Sequence, residues 1–223
     1  MEFTIHCIQS LKLSPCKHLI NKKNASLVAR ATDALLARSS VTPKGYNSIG
    51  QDVEPERAVN GADVLCTWRP RFCLDLFIYV TSDPSEAFLG VVMHGKRNTV
   101  EYFRCQEQLE VSSPGGIIFG HLTCDTHEDG SHQLNILVYD GIPNNSYDSI
   151  VPVHSRYAWI QHLESELQAM KIAAANVVVQ WVGCTSTHDK LYNMQLPHEK
   201  RGITLIRTDG SYTLYDFECR LTA

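Results

Sequence analysis

The chain has no apolar run near the roughly 20 residues that a membrane-spanning helix requires, so no spanning helix and no membrane partner are expected. Met1–Ile8 is short and mixed, with Glu2 and His6 inside it, and lacks the makeup of a secretory signal. The closing Arg220-Leu-Thr-Ala matches no lipidation motif. No C-x-x-C pair occurs among the eight cysteines, at positions 7, 16, 66, 73, 105, 124, 184 and 219. Their scatter favours reduced thiols over a disulfide frame, which fits a cytoplasmic or nuclear setting. The G-x-x-x-x-G-K pattern is missing, so Gly95-Lys96-Arg97 is not a phosphate loop. No nucleophile elbow supports a Cys-His-Asp hydrolase. Neither sign of charge is in large excess: the formal net charge is −4, so bulk electrostatics do not mark a nucleic-acid binder. A local basic pocket is still allowed, because steering depends on where charge sits. Internal repeats and low-complexity tracts are also missing.

What is present is an ordinary globular composition, 43% hydrophobic and 20% charged over 223 residues, long enough to bury a core. Residues 1–60 read as an N-terminal strand (3–8), a helix and a long loop, which either pack on the main domain or tether it. Asn24 is a plausible cap for a helix over 26–38, where Leu27, Ala31, Ala34 and Leu35 recur at helical spacing. Residues 61–223 form the main domain. Its middle is strand-rich: 64–68, 72–80, 87–93, 99–104, 117–123 and 133–139, separated by turn signals such as Ser82-Asp-Pro-Ser85 and Ser112-Ser-Pro-Gly-Gly116. Short turns predict antiparallel pairing. One helix is predicted over 155–175, then a strand over 176–182, a helical or irregular stretch over 185–194, and a hairpin of 203–207 and 212–216 turning at Asp209-Gly210. The expected class is α+β, antiparallel sheets with flanking helices.

The order of several segments resembles the nucleotidyltransferase domain of mRNA capping enzymes and DNA ligases, without their OB domain. Cys66-Thr-Trp-Arg-Pro-Arg-Phe72 resembles that family's nucleophile motif at its end only, through Arg71 and Phe72. In this register Cys66 takes the place of the lysine nucleophile and Trp68 that of the aspartate. Gly120-His121-Leu122 stands where Gly-Glu-Leu would be, and Leu134 to Ile142, with Tyr139-Asp140-Gly141, resembles the strand before the helix. Arg156 lies near the arginine that often opens that helix. His198 to Ile206 resembles the late segment, with Arg201 in place of Asp, and Arg220 is what the closing strand offers for Lys-x-Lys. The resemblance covers about two thirds of the chain, and each motif is weak alone; only their order carries weight. It implies a nucleotidyltransferase-like fold with the chemistry removed. A thiol cannot form the phosphoramidate that such enzymes make with an amine, and histidine replaces a carboxylate poorly at a magnesium site. The Ser113-Pro-Gly-Gly116 turn and Arg156-Tyr-Ala-Trp159 are most similar to the cap-binding domains of the snurportin kind. That implies a pseudoenzyme that binds an RNA 5′ cap or a nucleotide, with no catalytic residues, cofactor or metal. The arginine-rich importin-binding segment of such proteins is not evident in residues 1–40, which argues against an import-adaptor role.

The residues themselves offer candidates. Trp68 with Arg69 and Arg71 is the leading ligand cluster, since an indole face stacks on a base and arginines hold phosphates. The bland alternative is a core tryptophan beside solvated arginines. Lys96 and Arg97, and likewise Lys200 and Arg201, suit phosphate contacts or exposed turns. Asp140 suits a ribose hydroxyl or a turn cap. His121, Cys124, His127 and His132 make the one dense His/Cys group in the sequence, but its spacing fits no common zinc finger. Trp159 and Trp181 read as core. Two other function classes stay open: a protein-interaction scaffold with a closed pocket, and an active nucleotidyltransferase that uses Lys96.

Overall fold

Apolar runs bounded by turn residues through the middle of the chain build the frame of the molecule, and their central strands are buried on both faces. The computed structural model describes residues 14–16, 20, 24–39, 44–45, 64–93, 98–104, 111, 115–126, 129–144, 151–172, 175–180, 182–184, 199–208 and 212–216. In chain order its elements are β1 (Ser14–Pro15), α1 (Ala25–Ser39), β2 (Lys44–Gly45), β3 (Val64–Pro70), β4 (Leu74–Val80), β5 (Phe88–Met93), β6 (Thr99–Arg104), β7 (Gly116–Thr126), β8 (His132–Pro143), α2 (Val153–His162), α3 (Glu164–Ala169), β9 (Lys171–Ile172), β10 (Ala175–Val179), β11 (Gly183–Cys184), β12 (Lys200–Arg207) and β13 (Tyr212–Asp216). A one-turn 3₁₀ helix, Pro84–Glu86, links β4 to β5.

The architecture is mixed α+β and mostly antiparallel. The larger sheet has eight strands in the order β1-β6-β5-β4-β7-β8-β10-β9, and the smaller has five, β11-β3-β12-β13-β2. The predicted meander appears as β4, β5 and β6, joined antiparallel, and β7 returns to pair antiparallel with the other edge of β4. Two pairs run parallel, β8 with β10 and β2 with β13. The first of these needs a long crossover, which α2 and α3 supply.

The two faces of β4 go to different cores. Leu74, Leu76, Ile78 and Val80 pack with Ile160, Leu163 and Leu167 of the α2–α3 segment. Phe77 and Tyr79 face the other way and share a core with Leu27, Val28, Ala31 and Leu35 of α1 and with Leu65 and Ile206 of the smaller sheet. The large sheet is therefore covered by α2 and α3 on one face and by α1 and the small sheet on the other. On α1 the buried positions fall at i, i+1, i+4 and i+8, one stripe of a helix. The carbonyl of Asn24 accepts the Val28 N–H at 2.8 Å, starting the helix where the sequence places its cap.

The structure differs from expectation after residue 162. The single predicted helix is broken at Leu163, whose N–H reaches the carbonyls of both Trp159 and Ile160 at 3.1 Å, the tightened bonding of a helix end. It then stops at Ala169. Ile172 and Ala175 are fully buried on short strands at the far edge of the large sheet. Neither belongs to the predicted helical stripe of Tyr157, Ile160, Leu163, Leu167, Met170 and Ala174, and strand pairing claims them. The expected elements at 3–8 and 185–194, and the Asp209-Gly210 turn, lie outside the described residues, as do Trp181 and Arg220.

Candidate functional site

A lone acid inside an otherwise apolar strand is the centre of the first cluster. Asp75 shares the face of Phe77 and Tyr79, and the β4–β7 register sets it directly opposite His121. Both side chains are about 1% exposed. Asp75 Oδ1 lies 3.0 Å from His121 Nδ1. Its other oxygen, Oδ2, accepts from Arg69 Nη2 at 2.9 Å and lies 3.0 Å from the Ser39 hydroxyl at the end of α1. Burial alone would raise the Asp75 carboxyl. The Arg69 guanidinium and the His121 hydrogen bond outweigh it and hold the group well below the usual carboxylate range. Burial likewise works against the charge on Arg69, and Asp75 overcomes it, keeping that guanidinium above its ordinary value. The imidazole of His121 stacks on the Tyr139 ring, 4.5 Å between centroids and 20° from parallel. Cys73, in the turn before β4, sits beside this group, and desolvation pushes its thiol up to about 12.

The second cluster is a staple. Asp140 accepts from Arg156 Nε at 3.0 Å and Nη2 at 3.3 Å, from the Gly141 N–H at 2.8 Å, and from the Tyr212 hydroxyl. Arg156 also donates to the carbonyls of Val151, Thr208 and Arg207 at 2.8, 3.1 and 2.9 Å. Asp140 and Arg156 are 2% and 4% exposed. The pair binds β8, α2 and the end of β12 together, and its hydrogen-bonding capacity is spent within the protein.

A third group lies at the surface. Phe72, in the turn between β3 and β4, is 64% exposed. The Arg71 guanidinium lies 5.4 Å from its ring centroid and is ion-paired with Glu199. The Arg71 N–H donates to the Glu199 carbonyl at 2.8 Å, which ties this turn to the start of β12. There the ladder with β3 shifts register between Lys200 and Gly202, making Arg201 the extra residue of a bulge. Bulges re-aim side chains next to functional sites. Lys200 and Arg201 are both partly exposed, and desolvation lowers the Lys200 ammonium.

The sequence-selected residues thus part company. Trp68 is 3% exposed, packed with Cys66, Leu137, Ile203 and Leu205, so its indole is core, the blander of the two roles the sequence allowed. Arg69 and His121 meet at Asp75, whereas Asp140 and Arg156 meet in the staple. Arg71, Lys200 and Arg201 gather at the surface turn. Lys96, Arg97 and His127 lie outside the described residues. His121 and Cys124 diverge, because Cys124 packs against the opposite core. Phe72, Cys73, Asp75, Tyr139 and Tyr212 were not selected as site residues. For Asp75 a signal existed, a single charge in the run from Phe72 to Val80. No protein-family model matches the chain, and no curated protein matches it.

Proposed function

We infer that this chain is a degenerate nucleotidyltransferase-like domain, most similar to cap-binding domains of the snurportin kind, that binds a nucleotide or an RNA 5′ end without covalent chemistry. The observation that carries this is the exposed Phe72 ring with the Arg71 guanidinium 5.4 Å from its centroid, in a turn bonded to the start of β12, where Lys200 and Arg201 are partly exposed. An exposed aromatic face stacks on a base, and neighbouring cations meet its phosphates. The position that resembles the family's lysine supports the non-catalytic half. Cys66 is fully buried among apolar side chains and offers neither an amine nor access. The carboxylate position of the family is His121, already engaged with Asp75. The ligand base therefore docks on Phe72, at the surface turn, instead of on Trp68.

The test is calorimetric titration of the full chain with GTP, a 7-methylguanosine cap analogue and a trimethylguanosine cap analogue. Saturable binding of at least one is expected. Phe72→Ala weakens it by about tenfold or more, the scale of one lost base–aromatic stack, and Lys200→Ala with Arg201→Ala makes it less salt-dependent. No nucleotide adduct forms on the protein. Absence of binding by all three ligands overturns the proposal and turns the search to a protein partner.

A further inference from the structure

The Asp75 cluster contains a set of groups that the ligand-binding proposal does not use. Cys73 Sγ, a carboxylate oxygen of Asp75 and a ring nitrogen of His121 lie within 4.8 Å of one another, drawn from the β3–β4 turn, β4 and β7. We propose that these three side chains bind a zinc ion, with a fourth position left for water or for an anionic group of a ligand. The site does not depend on the nucleotide proposal.

The donor set fits the metal. Thiolate, imidazole and carboxylate are the ligands that zinc takes, and three protein ligands with an open fourth position is its arrangement in reactive sites. Magnesium or calcium would call for oxygen donors throughout. The spacing is near what coordination requires. Zinc–nitrogen and zinc–oxygen bonds of about 2.0–2.2 Å at a tetrahedral angle separate the two donors by about 3.3–3.5 Å. His121 Nδ1 and Asp75 Oδ1 stand 3.0 Å apart, so a small opening admits the ion between them. The sulfur has to close by about an ångström to complete a tetrahedron with a zinc–sulfur bond of about 2.3 Å. It is free to do so, because Cys73 is in the turn between Pro70 and Leu74, off the strand ladders. Among the described residues its thiol makes one hydrogen bond, a long one, 3.7 Å from Sγ to the Pro70 carbonyl. On ligation the thiol releases its proton to solvent, and the proton that His121 Nδ1 shares with Asp75 leaves Nδ1, the ring keeping one proton on Nε2.

The surroundings are built in the way that supports a metal site. Asp75 uses Oδ1 toward His121 and keeps Oδ2 on Arg69 and Ser39, so a one-oxygen ligand would stay oriented by its other oxygen. Ligating carboxylates and histidines are characteristically held by such outer contacts. Tyr139 fixes the plane of the His121 ring by stacking on it. Thiolate and carboxylate offset the dication, and Arg69 beside Asp75 leaves the occupied cluster with positive charge, which suits an anionic group in the fourth position. Cys73 is half-buried at the outer end while Asp75 and His121 are inside, so the ion enters past the sulfur.

The experiment strips the full-length, reduced chain with a chelator and titrates it with Co²⁺ as a spectroscopic stand-in for zinc. A saturating thiolate-to-cobalt charge-transfer band with the strong visible bands of tetrahedral cobalt is expected, and Zn²⁺ should bleach both. Cys73→Ser should abolish the charge-transfer band. His121→Asn should weaken binding by tenfold or more, with folding checked by circular dichroism. Cys124→Ser, on the opposite face of β7, should leave the spectrum unchanged. No charge-transfer band, or one that survives Cys73→Ser, overturns the proposal.

Discussion

At the residue scale, Asp75 shows how one side chain decides the cost of its neighbours. It neutralises Arg69 in a place where water is excluded. Removing one partner of a buried ion pair leaves the other charge uncompensated, which costs about 3–5 kcal/mol. Asp75→Asn should therefore lower stability by that amount in urea denaturation, whereas Arg69→Met combined with Asp75→Leu should cost less than the single change. A second prediction follows from the phenols. Desolvation raises the pKa of both Tyr79 and Tyr157. A raised value means the folded chain holds these protons more tightly than the unfolded chain. The stability they contribute is thus whole below the unfolded phenol value of about 10 and is lost as pH climbs through the raised folded values. Urea midpoints should fall across that alkaline window, and less so in Tyr79→Phe. Arg69 and His121 were selected from the sequence and Asp75 was not, though it is a lone charge in an apolar strand, and nothing local paired the three. His121 is 46 positions away, and only the β4–β7 register brings it opposite.

At the element scale, packing is specified by small contacts. Leu35 of α1 is fully buried against the β4–β5 face, and truncating it to alanine should cost about 2–5 kcal/mol. Gly116 opens β7 at a crowded point. A Cβ there would stand 2.4 Å from the Ile142 carbonyl and 2.7 Å from the Trp159 ring. The first neighbour is backbone and cannot turn aside, so Gly116→Ala should destabilise by about 1–3 kcal/mol, measured as a drop in the urea midpoint. Helix α1 was legible from its helical period, and the meander strands from apolar runs bounded by turn residues. The end of the helix at Ala169 was not, since apolar residues continue past it and suit a buried strand as well as a helix. Tertiary pairing of Ile172 and Ala175 at the far edge of the large sheet resolves that ambiguity.

At the scale of the whole molecule, the Asp140–Arg156–Tyr212 staple joins both sheets to α2. Arg156→Ala leaves Asp140 buried without its cation and should cost about 3–5 kcal/mol. Hydrogen exchange should then show β12 and β13 opening before β4 and β7, because the staple ties the β12–β13 side of the small sheet to β8 and α2. The candidate site follows the same division. Lys200 and Arg201 come to the end of the small sheet that carries the Arg71-Phe72 turn because β12 pairs with β3, with a bulge at Arg201. Among the described residues no helix is long and apolar enough to cross a membrane.

The sequence by itself determined the α+β class, helix α1, the antiparallel meander and the 212–216 strand, since these rest on apolar periods and turn residues within a short window. Tertiary structure alone decided that Trp68 is core while Phe72 is exposed, that β10 runs parallel to β8, and that Cys73, Asp75 and His121 converge. The physical reason is range. Local periodicity says which face of an element is apolar, but which faces and charges meet depends on strand register and sheet order between distant segments.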